Sequence, residues 1–273
     1  MKNSSRPSLP ARLAVLAYGT VMYLLAVATL AHLALFVRGE LVPKTLDGGP
    51  PHSFASALLV NALLVAVFAV QHGIMARLAF KRWWTRFVPV AIERSTFVFI
   101  TVVLLNVLIW QWRSVPDVLW SVEDPTLATA LEVLGWSGWA LVLFASFLID
   151  HFELFGIKQV WRYFRRTPHI PPPFQVRVLY RFVRHPLYLG FMIAFWATPL
   201  MTVGHMILSV LITSFVIVGI QLEEGTLMAT LGEPYRRYRH RVPMLLPFLK
   251  PVNSVAPTTA SSEPVAADPP TGI

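Results

Sequence analysis

Long apolar stretches separated by short, polar, mostly basic segments organise this chain. Four stretches, Leu13 to Val37, Phe54 to Met75, Ser95 to Trp112 and Leu127 to Ile149, are long enough to cross a bilayer as helices. A hydrocarbon core of roughly 30 Å needs about 20 apolar residues in helix, because irregular backbone facing lipid leaves its polar groups unsatisfied. After Pro186 come two shorter arms, Leu187 to Val203 and Met206 to Leu222, separated by Gly204 and His205. Each arm is about 17 residues, the short limit for a span, and the pair predicts a tight helical hairpin. The first stretch is about 25 residues long, longer than the apolar core of a secretory signal, which favours a retained helix. The expected architecture is an all-α integral membrane protein of six transmembrane helices, the last two a short helical hairpin, with a pocket on the cytosolic side.

Charge orients these spans, since Lys and Arg concentrate on the cytosolic side of a membrane. Basic residues cluster in the amino terminus (Lys2, Arg6, Arg12), in the second loop (Arg77, Lys81, Arg82, Arg86, Arg94), in the fourth (Lys158, Arg162, Arg165, Arg166, Arg177, Arg181, Arg184) and near the carboxyl end (Arg236, Arg237, Arg239, Arg241, Lys250). Of 23 Lys and Arg residues the opposite side keeps Arg38, Lys44 and Arg113. Six spans with both termini in the cytosol satisfy this asymmetry, whereas five would place the basic carboxyl segment outside. Such an orientation is expected in a bacterial inner membrane.

Composition agrees: 55% of the 273 residues are hydrophobic and 14% are charged, unlike a water-soluble domain. The formal charge of +9 lies in blocks between apolar stretches, not in one stripe or arm, which argues against nucleic acid. The absence of cysteine excludes disulfides, thiolate nucleophiles and Cys-ligated metals. His151 and Glu153 stand two apart, a spacing that separates them on a helix, so no metal is expected. No phosphate-cradling Gly-rich loop is present. The prolines Pro168 and Pro171 to Pro173 read as a stiff spacer. One membrane domain is expected over 1–250, with a boundary at Leu249 to Val252; the Pro/Ala/Ser/Thr-rich stretch 251–273 reads as a disordered cytosolic tail.

Ionisable residues at the ends of membrane helices are functional candidates, because burying them is costly without partners. Here they gather on the cytosolic side: Gln71 and His72, then Asp150, His151 and Glu153, then Arg184, His185 and Tyr188, then Glu223 and Glu224. Each has a plainer reading. Arg184 suits a positive-inside anchor, Tyr188 an interfacial aromatic, His72 a hydrogen-bonded packing residue, and Asp150, His151 and Glu153 a solvated helix end. The adjacent carboxylates Glu223 and Glu224 repel one another after an almost uncharged stretch, and a cation or arginine would relieve that repulsion.

The segment Tyr180-Arg-Phe-Val-Arg-His-Pro-Leu-Tyr-Leu-Gly190, then Glu223-Glu224, then Leu231-Gly-Glu-Pro-Tyr-Arg-Arg-Tyr238 with Val242-Pro243, resembles the cofactor-binding half of the isoprenylcysteine carboxyl methyltransferase family. Phospholipid methyltransferases share this signature, as do, more loosely, NADPH-linked membrane sterol reductases. The segments Gln71-His-Gly-Ile-Met-Ala-Arg77, Glu93-Arg-Ser-Thr96, Gln111-Trp112 and Asp150-His-Phe-Glu-Leu-Phe-Gly156 extend the resemblance to bacterial methanethiol S-methyltransferases, relatives of the NnrU-type membrane proteins. The prenylcysteine enzymes carry an arginine for the acceptor carboxylate one turn before the paired glutamates. Gly219 stands there in this chain, which favours a small uncharged thiol.

The resemblance implies S-adenosylmethionine as cofactor, a cofactor half over about 174–247, and cofactor contacts at Tyr180, His185, Pro186, Leu187, Tyr188 and Glu223, with Arg184, Gly190 and Glu224 beside them. Residue chemistry agrees: Arg184 or His185 suits the cofactor carboxylate, Glu223 or Glu224 its ammonium and ribose hydroxyls, and the tyrosines its adenine or sulfonium. Expected activity is methylation of methanethiol to dimethyl sulfide. His72 and His151 are the candidate bases, and Gln71, Glu153, Phe152, Phe155 and Trp161 the candidate acceptor pocket. The alternatives are a lipid or isoprenoid acceptor, an NADPH-linked reductase, and a non-enzymatic NnrU-like membrane protein.

Overall fold

The computed structural model describes residues 7–168, 176 and 178–247. The expected tail, its boundary, and Pro171 to Pro173 lie outside the described residues. Helix α1 (Leu9–Arg38) starts where the Ser8 hydroxyl accepts from the Ala11 amide and Pro10 fills the first turn; it ends at Gly39, whose φ of 75° suits glycine. Helix α2 (Phe54–Met75) runs back, followed by the short α3 (Leu78–Trp84) and α4 (Glu93–Gln111). After strand β1 (Val118–Ser121), α5 (Pro125–Ile149) is capped by Asp124 accepting from the Leu127 amide. Two short helices follow, α6 (His151–Leu154) and α7 (Ile157–Arg165). The chain closes with α8 (Pro186–Trp196), strand β2 (Leu200–Thr202), α9 (Val203–Leu231) and α10 (Glu233–Arg241).

Five of these segments are long and apolar enough to cross a membrane: Leu9–Arg38, Phe54–Met75, Val90–Gln111, Pro125–Ile149 and Val203–Leu231. The protein is therefore a helical membrane protein. Leu24, Leu59, Leu63, Trp110 and Phe144 stay exposed on the helix surfaces, as expected where lipid rather than water is the outer solvent.

The last two arms differ from the sequence expectation. Instead of two arms of equal length turning at Gly204 and His205, α8 has 11 residues and α9 has 29. Pro199 disfavours helix at Thr198, so the turn falls at Ala197 to Thr202. Gly204 and His205 fall in the first turn of α9, where the Thr202 hydroxyl caps the His205 amide at 3.0 Å. The Phe195 carbonyl, released where α8 ends, accepts from Ser209 Oγ at 2.9 Å and pairs with His205 Nε2 at 2.8 Å. β2 pairs antiparallel with β1, Val118 opposite Thr202 and Ser121 opposite Leu200. Helix α9 also runs past Leu222, so Glu223 and Glu224 lie within it and not at its end.

Packing is closest between α5 and α8. A Cβ on Gly138 would lie 2.5 Å from the Ala194 nitrogen, and one on Gly190 would lie 2.8 Å from the Val142 nitrogen, so the two backbones touch where glycine permits it. Helix α1 packs on α4 and α7, and α2 on α4 and α9. One buried apolar cluster, with Phe36, Leu46, Leu108, Trp112, Phe195 and Leu208, fills the end bearing the β-pair. A second, with Ala26, Met75, Phe97, Val98 and Val102, fills the basic end. That basic end is where the polar helix termini meet.

Candidate active site

Helix α8 opens at Pro186, which suits a first helical turn because its missing N–H has no intrahelical role there. The two residues before it, Arg184 and His185, are buried. Their backbone amides donate to the Pro243 and Met244 carbonyls at 2.9 and 3.2 Å, so the segment after α10 is laid against them. Arg184 donates from Nε to Glu224 Oε1 at 2.7 Å and from Nη1 to the Arg239 and Val242 carbonyls at 2.8 and 2.6 Å. His185 Nε2 lies 3.0 Å from the same Glu224 oxygen, and Arg239 Nε lies 3.0 Å from Oε2. Glu224, 4% exposed, is thus a compensated anion tying α8, α9 and α10 together.

Its neighbour behaves oppositely. Glu223 is exposed, and its Oε2 accepts from the Tyr188 hydroxyl at 3.0 Å. Consecutive helical residues point about 100° apart, so one carboxylate faces the interior and the other the exposed surface beside Tyr188 of α8. The Tyr238 hydroxyl donates to the Tyr180 carbonyl at 2.8 Å. Burial raises the phenols of Tyr180 and Tyr235, nearby Glu223 adding to both, and pushes that of Tyr238 up to about 12. These phenols remain protonated donors at neutral pH.

A second polar cluster lies where α5 ends. Asp150 adopts φ 152° and ψ 84°, a backbone region that side chains disfavour, and its carboxylate stabilises the bend by capping the Glu153 amide and pairing with Lys158. Burial raises the Asp150 pKa, but hydrogen bonds from Lys158 and the Glu153 amide outweigh it, and the net direction is down. His151 is buried and stacked on Phe147 at 4.2 Å. The single Ser146 hydroxyl hydrogen is committed to the Leu143 carbonyl at 2.7 Å, so Ser146 accepts from His151 Nδ1 at 2.8 Å. That assignment leaves Nε2 to accept from the Tyr23 hydroxyl at 3.1 Å. Burial lowers the His151 pKa, with Asp150 opposing, which suits a neutral ring.

The third group surrounds His72, in the last turn of α2. Its ring lies among Phe68, Phe97 and Phe215, with centroids 5.5, 5.0 and 6.0 Å away. Its Nδ1 is shielded from solvent and has no hydrogen-bond partner among the described residues, and the same is true of Gln71 Oε1, Trp84 Nε1 and Ser95 Oγ. Gln71 Nε2 lies 3.0 Å from Met75 Sδ. Among the described residues no three His, Asp or Glu side chains converge as a metal site.

A family model described as "Protein of unknown function (DUF1295)" matches residues 57–242. Methanethiol S-methyltransferase 1 of Bradyrhizobium diazoefficiens is 48% identical over 235 residues, covering 86% of this chain and 82% of the relative. The methanethiol S-methyltransferase of Mycobacterium tuberculosis is 48% identical over 231 residues, covering 85% of this chain and 95% of the relative. That of Pseudomonas deceptionensis is 47% identical over 244 residues, 89% of this chain and 93% of the relative. The chain belongs to this methyltransferase family. Nurim of Xenopus laevis is a more distant relative, 28% identical over 240 residues, 78% of this chain and 81% of its own length. No solved structure matches.

Within this family member, the residues singled out from the sequence separate into three places. Tyr180, Arg184, His185, Pro186, Leu187, Tyr188, Glu223 and Glu224 come together at the α8–α9 junction, while Gly190 serves α5–α8 packing. Gln71, His72 and Phe155 border the aromatic cluster of α2 and α4. Glu153 is held by Arg162 at 2.8 Å, and Phe152 and Trp161 are exposed at the protein surface. Arg239, the third partner of Glu224, and Tyr23 and Ser146, the partners of His151, were not among the sequence candidates. The unpaired carboxylate charge signalled a counter-cation for the first. Tyr23 and Ser146 sit in apolar helices as ordinary polar residues, and only the folded contacts reveal them.

Proposed function

We propose that this protein transfers a methyl group from S-adenosylmethionine to methanethiol, giving dimethyl sulfide, at the cytosolic face of a bacterial inner membrane. The observation that carries the reading is the division of labour between the adjacent glutamates in a chain of this family. Glu224 is saturated by Arg184, His185 and Arg239, whereas Glu223 offers an exposed carboxylate beside the Tyr188 and Tyr180 rings. A cation with hydroxyls and a flat base suits such a donor set, and S-adenosylmethionine has all three. Glu223 would take the ammonium or the ribose hydroxyls, and Tyr180 and Tyr188 would flank the base. Arg184 keeps its bonds to Glu224 and two carbonyls, so it serves the pocket wall. Bound there, the cofactor supplies an electrophilic methyl on a sulfonium.

Topology supports the same face. Helix α8 rises about 16 Å, and the chain then reverses through Ala197 to Thr202 into α9, which climbs roughly 32 Å between Val203 and Glu224. A hairpin of this kind returns the chain towards the side from which α8 starts, which supports the reading of both termini on the basic, cytosolic side.

The test is headspace dimethyl sulfide from purified protein in detergent, given S-adenosylmethionine and methanethiol, beside calorimetric cofactor binding. Product from wild type and none from Glu223→Ala is expected. Cofactor binding without product from methanethiol, and with product from a prenyl or lipid acceptor, would refute the thiol reading.

A further inference from the structure

The acceptor has no site among the contacts described so far, and two histidines compete to serve it. His151 has both ring nitrogens engaged, Nδ1 by Ser146 and Nε2 by Tyr23, so its lone pair is already occupied. His72 is different. Its Nδ1 is shielded and unpartnered among the described residues, within a cage of three phenylalanines contributed by α2, α4 and α9. A shielded imidazole nitrogen without a partner is costly unless a ligand supplies one.

Depth along α9 connects this cage to the cofactor site. Phe215, which touches both Phe68 and His72, precedes Gly219 by one turn and Glu223 by two, steps of about 6 and 12 Å. Tyr188 bridges that interval: its hydroxyl bonds Glu223 and lies 4.0 Å from where a Cβ on Gly219 would be. Where α2 ends, Arg77 lies 3.3 Å from the Leu222 carbonyl and from Thr226, which keeps α2 alongside this face of α9. The bare backbone at Gly219 therefore separates the exposed carboxylate from the aromatic cage.

We propose that methanethiol is held over Gly219 with its sulfur against His72 Nδ1, and that His72 is the base for the transfer. This rests on the function proposed above. The thiol S–H proton passes to Nδ1. The sulfur then bonds the methyl carbon, the bond from that carbon to the sulfonium sulfur breaks, and its electron pair stays on that sulfur as a neutral thioether. The proton afterwards leaves His72 for water. Phenylalanine faces around the sulfur favour a small, soft, apolar acceptor, and Arg94, the cation beside the cage, is engaged by the Phe97 ring and the Leu154 carbonyl. The charged groups about the ring are Arg94 from α4, held over Phe97 and bonded to the Leu154 carbonyl, Arg77 beyond the end of α2, and Glu223 two turns along α9.

Substitution His72→Gln removes the base while keeping size and polarity, and Gly219→Leu fills the acceptor site while keeping the base. For His72→Gln the expected result is a loss of roughly 10²- to 10⁴-fold in kcat/KM for methanethiol at pH 7, with S-adenosylmethionine binding retained. The deficit should shrink as pH rises towards the thiol pKa, which for an alkyl thiol lies near or above the Cys value of about 8.5, because solvent then supplies thiolate. For Gly219→Leu the expected result is a raised KM with a smaller change in kcat. Independently of turnover, calorimetry should show methanethiol binding to the wild-type complex with S-adenosylhomocysteine and much weaker binding to either variant. Wild-type kcat/KM and an unchanged pH profile in His72→Gln would overturn the proposal, as would unchanged thiol binding in Gly219→Leu. A wild-type protein that binds no S-adenosylmethionine would instead overturn the function on which the proposal stands, so the two failures are distinguishable.

Discussion

Replacing either adjacent glutamate with glutamine should give opposite phenotypes. Glu224 is 4% exposed and accepts from Arg184, His185 and Arg239 at 2.7, 3.0 and 3.0 Å. Removing one charge from a buried pair costs about 3–5 kcal/mol, because the partner is left buried without its counter-ion. Arg184 keeps two carbonyl acceptors and glutamine keeps one oxygen, which places Glu224→Gln near the lower bound, about 3 kcal/mol. For a domain of this length each kcal/mol moves the midpoint by about 2–4 °C, so unfolding in a fixed detergent should fall by about 6–12 °C. Glu223 is exposed and holds a tyrosine hydroxyl, so Glu223→Gln should change stability by no more than about 0.5 kcal/mol. The cofactor, however, would lose a charge-assisted hydrogen bond of about 1.5–3 kcal/mol, or roughly 10- to 150-fold in affinity. Thermal unfolding and cofactor calorimetry on both variants decide the matter. Equal destabilisation, or a weakened cofactor with an unshifted midpoint in both, would show that the pair is not divided into an anchor and a ligand arm.

Gly138→Leu should lower the unfolding midpoint by the equivalent of about 1–3 kcal/mol, since even its Cβ would meet the Ala194 backbone nitrogen at 2.5 Å; an unshifted midpoint would mean that α5 and α8 are less closely packed. Asp150 has a depressed folded-state pKa, so the stability it contributes is complete above its unfolded value, about 3.9, and is lost as pH falls through the lower folded value. Asp150→Asn should therefore flatten the acid limb of a stability-against-pH curve, which unfolding midpoints between about pH 2 and 5 would reveal. Tyr23→Phe leaves His151 Nε2 without its donor and should cost about 1–3 kcal/mol of stability. The pH profile of methyl transfer should stay unchanged in this variant, a result that separates a structural histidine from the base.

The first four membrane helices were legible because each is a continuous apolar run bounded by caps or breakers the sequence displays, Ser8 before α1 and Asp124 before α5 among them. The last pair was legible in kind but not in shape. Hydropathy continues from Leu187 to Leu222, and nothing in that average separates a helix from the extended strip that Pro199 and the β1 pairing impose. The gathering of Arg184, His185, Tyr188 and the glutamates could be anticipated, since they stand at neighbouring helix ends. Their roles could not, because only the folded contacts show that Arg239 completes the Glu224 anchor and leaves Glu223 exposed. His72 and His151 were equal candidates in sequence; the Ser146 and Tyr23 hydroxyls, from α5 and α1, make them unequal.

On the proposed reading, the depth of these groups matches the chemistry asked of them. A cationic cofactor has to arrive from water, and the exposed Glu223 at the basic end meets it there. A small apolar thiol partitions into hydrocarbon, and the phenylalanine cage offers it apolar surroundings. The transfer joins a thiolate to a methyl on a sulfonium, and both charges vanish as the bond forms, so a site poor in water favours product over the separated ions. Placing the acceptor one to two helical turns deeper than Glu223 achieves this while the permanent charges nearby stay engaged, Glu224 by Arg184 and Arg239 and Arg94 by the Leu154 carbonyl. The same geometry sets a selectivity rule: lengthening the acceptor pushes it against Phe215 and Phe68, whose ring centroids stand 5.5 Å apart. Ethanethiol and propanethiol should therefore show a rising KM, and Phe215→Ala should flatten that series while leaving cofactor affinity unchanged. A flat series in the wild type would place the acceptor outside the cage.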